Sequence, residues 1–213
     1  HVAVRRQRQM CIRDSLLTVP SYNKPTQQGL IDHFNKIADS VNIPCILYNV
    51  PGRTALNMEA ETTHKLSFHE NIIGIKEASS DLSQITEIIN NSSNSDFKVW
   101  SGNDDETFSI MALGGFGVVS VASNIIGNQI KTMMGAVLEG NIESAANHHK
   151  ELLPLFQALF WITNPILIKR ALNISGLPHT IIAKQNEILH RRVGYAPGEE
   201  LDLLEKLKDY EVE

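Results

Sequence analysis

Cysteine is scarce in this chain, with two residues, Cys11 and Cys45, among 213. They stand too far apart for a local redox or zinc motif, which excludes a disulfide framework and points to free thiols in a reducing compartment. Long apolar runs are also missing. None approaches the ~20 residues that a membrane-spanning helix needs, so a cytosolic protein with no membrane partner is expected. An excess of basic residues is lacking too. The formal charge is -5, which leaves no electrostatic footprint for nucleic acid. No G-x-G-x-x-G follows the first strand candidate and no H-E-x-x-H occurs, so neither a dinucleotide cofactor nor a metal is expected.

The opening HVAVRRQRQMCIRDS is unlike the rest of the chain. Arg5, Arg6, Arg8 and Arg13 against Asp14 give it a charge of +3, leaving -8 for the remainder. It has neither a strand nor a helix period and lacks the apolar centre of a signal peptide. Residues 1–15 therefore read as a non-native leader, and the predicted fold starts at Leu16.

From there short β-type runs alternate with amphipathic helical stretches. The strand candidates are Leu16–Pro20, Pro44–Asn49, Ile72–Glu77, Phe97–Gly102 and Gly117–Val121. Their lack of clean polar alternation suits parallel strands covered on both faces. Leu30, Ile31, Phe34, Ile37, Ala38 and Val41 mark a helical stripe. Asp81 with Gln84 resembles a capping box before Leu82, Ile85, Ile88 and Ile89. Beyond Val121 the strands stop, and helices are predicted over Gln129–Leu138 and Ile142–Phe160, the latter kinked or divided at Pro154. Asn164-Pro165 reads as a cap with proline at the first helical position, and a last helix opens near Pro197 with Leu201, Leu204 and Leu207 inward. Such βα repeats form either an open doubly wound sheet or most of a (β/α)8 barrel.

Both architectures gather their sites at the carboxyl ends of strands. Tyr22, Tyr48, Arg53, Lys76, Ser101-Gly102, Val119 and Ser120 lie there. A lysine at its ordinary pKa of ~10.4 is no nucleophile at neutral pH. Desolvation lowers that value, and the neutral amine then attacks a ketone to form a Schiff base. A tyrosine beside it, donor and acceptor at once, suits the proton transfers. Each residue alone has a plainer explanation. A strand-end lysine snorkels to water, Lys76 and Glu77 can form a surface pair, a tyrosine there is often half-buried core, and Arg53 can be solvated. GGFG at 114–117 precedes a strand and reads as a tight turn rather than a phosphate cradle. NDDE at 103–106 reads as a helix cap with dipole charges. His148 and His149, adjacent on a helix, face different ways.

Together, TVPSYNKPTQQGL, ILYNVPGRT, IIGIKEAS, SGNDD and GGFGVVSV, in this order and spacing, resemble the 4-hydroxy-tetrahydrodipicolinate (dihydrodipicolinate) synthase family of pyruvate-dependent class I aldolases. The resemblance runs from about Leu16 to Gly176 and includes NPILIK. It implies an α/β fold with barrel strands four to eight over 16–123, followed by the last barrel helix and a C-terminal helical domain over 124–213. It implies that Lys76 forms the imine with pyruvate and that Tyr48 relays protons. Tyr22 would reach into a neighbouring subunit's site. Arg53 would hold L-aspartate 4-semialdehyde by its carboxylate, Val119 would lie beside pyruvate, and Gly102 would leave room for it. The implied protein is a homo-oligomer, dimer or tetramer, needing no cofactor. The family's first three strands, with their Gly-Thr-Thr-Gly-Glu-type loop, have no counterpart, so an incomplete copy is expected. The alternatives are a related aldolase acting on sugar acids or N-acetylneuraminate, or a non-catalytic fragment.

Overall fold

The computed structural model describes residues 14–92 and 96–176. Nearly all of the leader, with Cys11, lies outside them, as do residues 177–196 and the helix expected after Pro197. The chain divides into two units between Val119 and Ser120.

The first unit is a five-stranded parallel sheet made of β1 (Ser15–Thr18), β2 (Cys45–Asn49), β3 (Ile72–Glu77), β4 (Lys98–Ser101) and β5 (Gly117–Val118). The strands lie in the order β1-β2-β3-β4-β5 and every pair is parallel. An open doubly wound sheet reverses direction at a switch point, and this one does not. The strictly sequential order is that of a barrel wall, and the fold is a partial (β/α)8 barrel followed in the chain by helices. β3 has the predicted bounds, while the other strands are shorter than the apolar runs suggest, above all the fifth, which stops at Val118 where Gly117–Val121 is predicted. Ser120 is not a strand residue, and its hydroxyl oxygen accepts from the backbone N–H of Ser123 at 2.8 Å.

Helices α1 (Gln27–Ser40), α2 (Pro51–Thr54), α3 (Ala60–Leu66), α4 (Leu82–Asn91) and α5 (Thr107–Ala112) fill the crossovers. Thr26 caps α1, accepting from Gly29 N at 3.2 Å. The stripe of α1 turns Leu30, Phe34 and Ala38 inward, where they join Leu66, Ile85, Ile88 and the strand residues Leu47, Ile75 and Val99 in one core. Each large side chain so buried stabilises the fold by about 1.5–3 kcal/mol. The expectation that both sheet faces are covered is only half met. Burial alternates along β2 and β4. Cys45, Leu47, Asn49, Ile75, Glu77, Val99 and Ser101 are buried, while Tyr48, Lys76 and Trp100 on the other face are only partly covered by the described residues.

Asp81 does cap α4, accepting from Ser83 N and Gln84 N, both at 3.0 Å. Gln84 does not complete a capping box. Its side chain bonds to Asn57 and to Met58 O, and Asp81 N donates to Ser79 Oγ instead. At the end of α5, Gly114 takes a positive φ of 103°, which only glycine adopts cheaply. Gly115 lies against Ile110, so close that a Cβ would sit 2.8 Å from its carbonyl oxygen. GGFG is thus a turn.

The second unit contains α6 (Ser123–Leu138), α7 (Ile142–Ala158) and α8 (Ile166–Ile174). Helix α6 begins six residues before Gln129 and carries a non-helical residue, Ile126 (φ -122°, ψ 35°). Helix α7 continues through Pro154. Pro165 is not the first helical residue. It takes the cap position itself after a cis Asn164-Pro165 bond, with a non-helical φ of -104° and ψ of 25°. No helix among the described residues is long and apolar enough to cross a membrane.

Candidate active site

Parallel register determines which side chains meet. Tyr48, Lys76 and Trp100 are cross-strand partners on β2, β3 and β4, so all three leave the same face of the sheet. The Lys76 amine lies over the Tyr48 ring, with Nζ 4.1 Å from its centroid. A ring face favours the ammonium form, and the negative charge of Asp104 favours it too. Burial opposes both and prevails, so the Lys76 pKa lies below that of an ordinary lysine. Burial likewise pushes the Tyr48 phenol up, partly offset by the positive charge of Arg53.

The remaining predicted residues divide. Gly102 stands against the lysine, and a Cβ there would be 2.7 Å from Ala78 Cβ and 3.2 Å from Lys76 Cε. Its N–H donates to Glu77 O at 2.6 Å, which holds the end of β4 beside β3. Val119 lies just past β5, where its N–H donates to Ser101 O at 2.9 Å, and its side chain is exposed. Arg53 is exposed on α2, whose first turn begins at Pro51 and whose end is capped by Ala55 in a left-handed conformation (φ 53°). Tyr22 is not brought to this group. It is 95% exposed.

The plainer alternative for Lys76, a surface pair with its neighbour, does not form. Glu77 is not the surface partner of Lys76 but is fully buried on the opposite face. Asn49 Nδ2 donates to its two carboxylate oxygens at 3.1 and 3.2 Å, and Ser79 N donates at 2.8 Å. Burial, only partly offset by these bonds, pushes its pKa up to about 6. Strand alternation carries the signal for this, since neighbours in a strand cannot share a face. In the 103–106 stretch, Asn103 takes the cap position before a short 3-10 turn (Asp104–Glu106) whose acidic residues sit at its start, but its side chain makes no cap bond. Its Nδ2 donates to Glu106 Oε2 at 3.0 Å and to Ser80 Oγ at 3.2 Å. Among the described residues no three His, Cys, Asp or Glu side chains gather as metal ligands. His148 and His149 diverge, the former toward Glu151 at 3.6 Å and the latter toward the ring of Phe156.

A model of the dihydrodipicolinate synthetase family matches residues 5–185, most of the chain. The chain belongs to that family. A 4-hydroxy-tetrahydrodipicolinate synthase of Dehalococcoides mccartyi is 54% identical over 162 residues, which are 76% of this chain and 54% of that protein. A second, from Halalkalibacterium halodurans, is 50% identical over 163 residues, 76% of this chain and 55% of that protein. The chain thus spans about half the length of the curated relatives it matches. Among solved structures, dihydrodipicolinate synthase from Thermotoga maritima matches with a TM-score of 0.79 at 37% identity, covering 98% of this chain and 69% of that one. The enzyme from Cyanidioschyzon merolae, solved with lysine bound, gives 0.79 at 38% identity, covering 98% and 68%. The residues singled out by the resemblance, from Tyr22 to Val119, fall inside the matched stretch and inside the first unit.

Proposed function

We propose that Lys76 forms an imine with pyruvate, and that the chain carries the imine-forming part of a 4-hydroxy-tetrahydrodipicolinate synthase acting in lysine and diaminopimelate synthesis. The observation that carries this reading is the Lys76 amine resting on the Tyr48 ring, partly desolvated at a strand end. Family membership supports it. The neutral amine adds to the keto carbon, water leaves, and the iminium so formed acidifies the adjacent methyl group. Loss of that proton gives an enamine, whose carbon attacks the aldehyde of L-aspartate 4-semialdehyde. Ring closure by the semialdehyde's amino group then releases the lysine.

The residues take their roles from their places. Tyr48 carries protons to and from the imine centre. Arg53, exposed and close enough to bias the Tyr48 phenol, holds the carboxylate of the second substrate. Gly102 leaves the space that pyruvate fills beside Lys76, and the backbone at Val119 lines it. Tyr22, turned to solvent, serves the site of a neighbouring copy, which makes the working form a homo-oligomer in the cytosol.

The test is borohydride reduction of the chain with pyruvate. The peptide containing Lys76 should gain the mass of a reduced pyruvate adduct, and Lys76→Ala should gain nothing. A folded chain whose Lys76 stays unmodified would overturn the reading. With a second substrate present, Arg53→Ala should weaken the use of the semialdehyde without reducing the first adduct.

A further inference from the structure

The chemistry proposed at Lys76 makes no use of Glu77, although a carboxyl group with no access to water is costly to keep there. Its partner Asn49 is equally buried. Asn49 stands opposite Glu77 in the β2–β3 register, one step beyond Tyr48 opposite Lys76. Side chains alternate along a strand, so this pair lies behind the sheet just past the point where the tyrosine and lysine meet in front.

Its bonds are directional. Met58 N donates to Asn49 Oδ1 at 3.0 Å, which turns Nδ2 toward Glu77. Ser79 N fixes the carboxylate from the strand's own continuation. Asn49 Nδ2 also lies 2.8 Å from Asn57 Oδ1, and Asn57 Nδ2 donates to Gln84 Oε1 at 2.7 Å. The network therefore links β2, β3, the loop after the Arg53 turn and α4.

We infer that Glu77 and Asn49 are positioning residues, a buried carboxylate–amide clamp that holds the ends of β2 and β3 at the spacing in which Tyr48 lies against Lys76. The inference rests on the imine reading of Lys76 for its functional meaning. A glutamine at position 77 would turn an N–H2 group toward the amide of Asn49, and an aspartate at position 49 would face a second carboxylate. Exchanging both restores one donor and one acceptor between positions 49 and 77, with the paired amides of Asn57 and Gln84 turning over together so that Asn57 Nδ2 meets the carboxylate at position 49.

The test compares Glu77→Gln, Asn49→Asp and the double exchange in the full chain. Two readouts are taken beside circular dichroism. One is the rate of borohydride-trapped pyruvate adduct at Lys76. The other needs no pyruvate: the pH dependence of acetic anhydride labelling at Lys76, with exposed Lys65 as internal reference. Each single variant should slow trapping on the order of tenfold and move the Lys76 labelling midpoint upward. The double exchange should recover both. Folded single variants with unchanged midpoint and trapping, or a double exchange no better than the singles, would overturn the clamp. Should the single variants fail to fold, Asn57→Ala and Gln84→Ala, at the half-buried outer end of the network, should shift the midpoint in the same direction. No shift there counts against the clamp. If the unaltered chain traps no pyruvate, the imine reading falls, and the labelling midpoint still decides the clamp.

Discussion

Two neighbours in one strand experience opposite consequences of burial. Desolvation removes the proton more readily from Lys76 and less readily from Glu77. For Glu77 this is also a statement about stability. Its pKa rises from 4.5 to about 6 on folding, so the folded chain keeps a proton that the unfolded chain gives up between those values. Stability contributed by the protonated group is therefore present at low pH and lost as pH climbs through that window, by about 2 kcal/mol in all. Urea unfolding of the unaltered chain and of Glu77→Gln at pH 4.5 and pH 7 should show the unaltered chain losing ground to the variant by most of that amount, about 1.6 kcal/mol, since the unfolded group is already half ionised at pH 4.5. A gap that does not change with pH would mean that Glu77 ionises as if exposed. On the other face, Tyr48→Phe keeps the ring under the Lys76 amine and removes only the hydroxyl. It should slow adduct formation about 10²-fold while leaving the unfolding midpoint nearly unchanged. Tyr48 and Lys76 were legible as strand-end residues from their segments alone. The surface pair left open for Lys76 and Glu77 is excluded by strand alternation, which puts Glu77 on the buried face.

At the scale of elements, the parallel strands and α1 were the most legible features, since apolar runs and a helical stripe report burial directly. Helix α1 docks through Leu30, Phe34 and Ala38. Phe34→Ala should cost about 3–5 kcal/mol in urea unfolding, and the exposed positions Gln28 and Lys36 of the same helix should tolerate alanine. What the sequence hid were the ends. Gln84 suits a capping box by spacing, but Asn57 lies within reach and takes it. Ser120 continues an apolar run, yet its hydroxyl is used to start α6. Pro165 satisfies the rule for a first helical residue, but its ψ places it just outside. In each case a tertiary partner or backbone conformation outweighs a local preference. Gly102 shows the reverse, a local absence with a tertiary reason. Gly102→Ala should force Ala78 or Lys76 aside, destabilise the chain by about 1–3 kcal/mol and slow adduct formation at Lys76.

At the scale of the whole molecule, the division of the chain decides what a ligand can do. Lys76, Tyr48, Arg53 and Gly102 all lie in the first unit, before Val119. The chain has two tryptophans, one in each unit: Trp100, on β4 in register with Lys76, and Trp161, beyond α7. Each therefore reports on its own unit. A ligand that binds only the folded state stabilises it by RT ln(1 + [L]/Kd), about 2.7 kcal/mol at a hundred times Kd. Saturating pyruvate should accordingly raise the thermal midpoint read from Trp100 fluorescence in Trp161→Phe, and should have no effect once Lys76→Ala is added. The same titration in Trp100→Phe reads the second unit through Trp161. A midpoint that moves there as well means that the two units unfold in one transition, whereas a stationary one means that the helices after Ser120 melt separately from the sheet that holds the lysine. An unmoved Trp100 midpoint under saturating pyruvate would contradict a ligand site on this face of the sheet, whatever the second unit does.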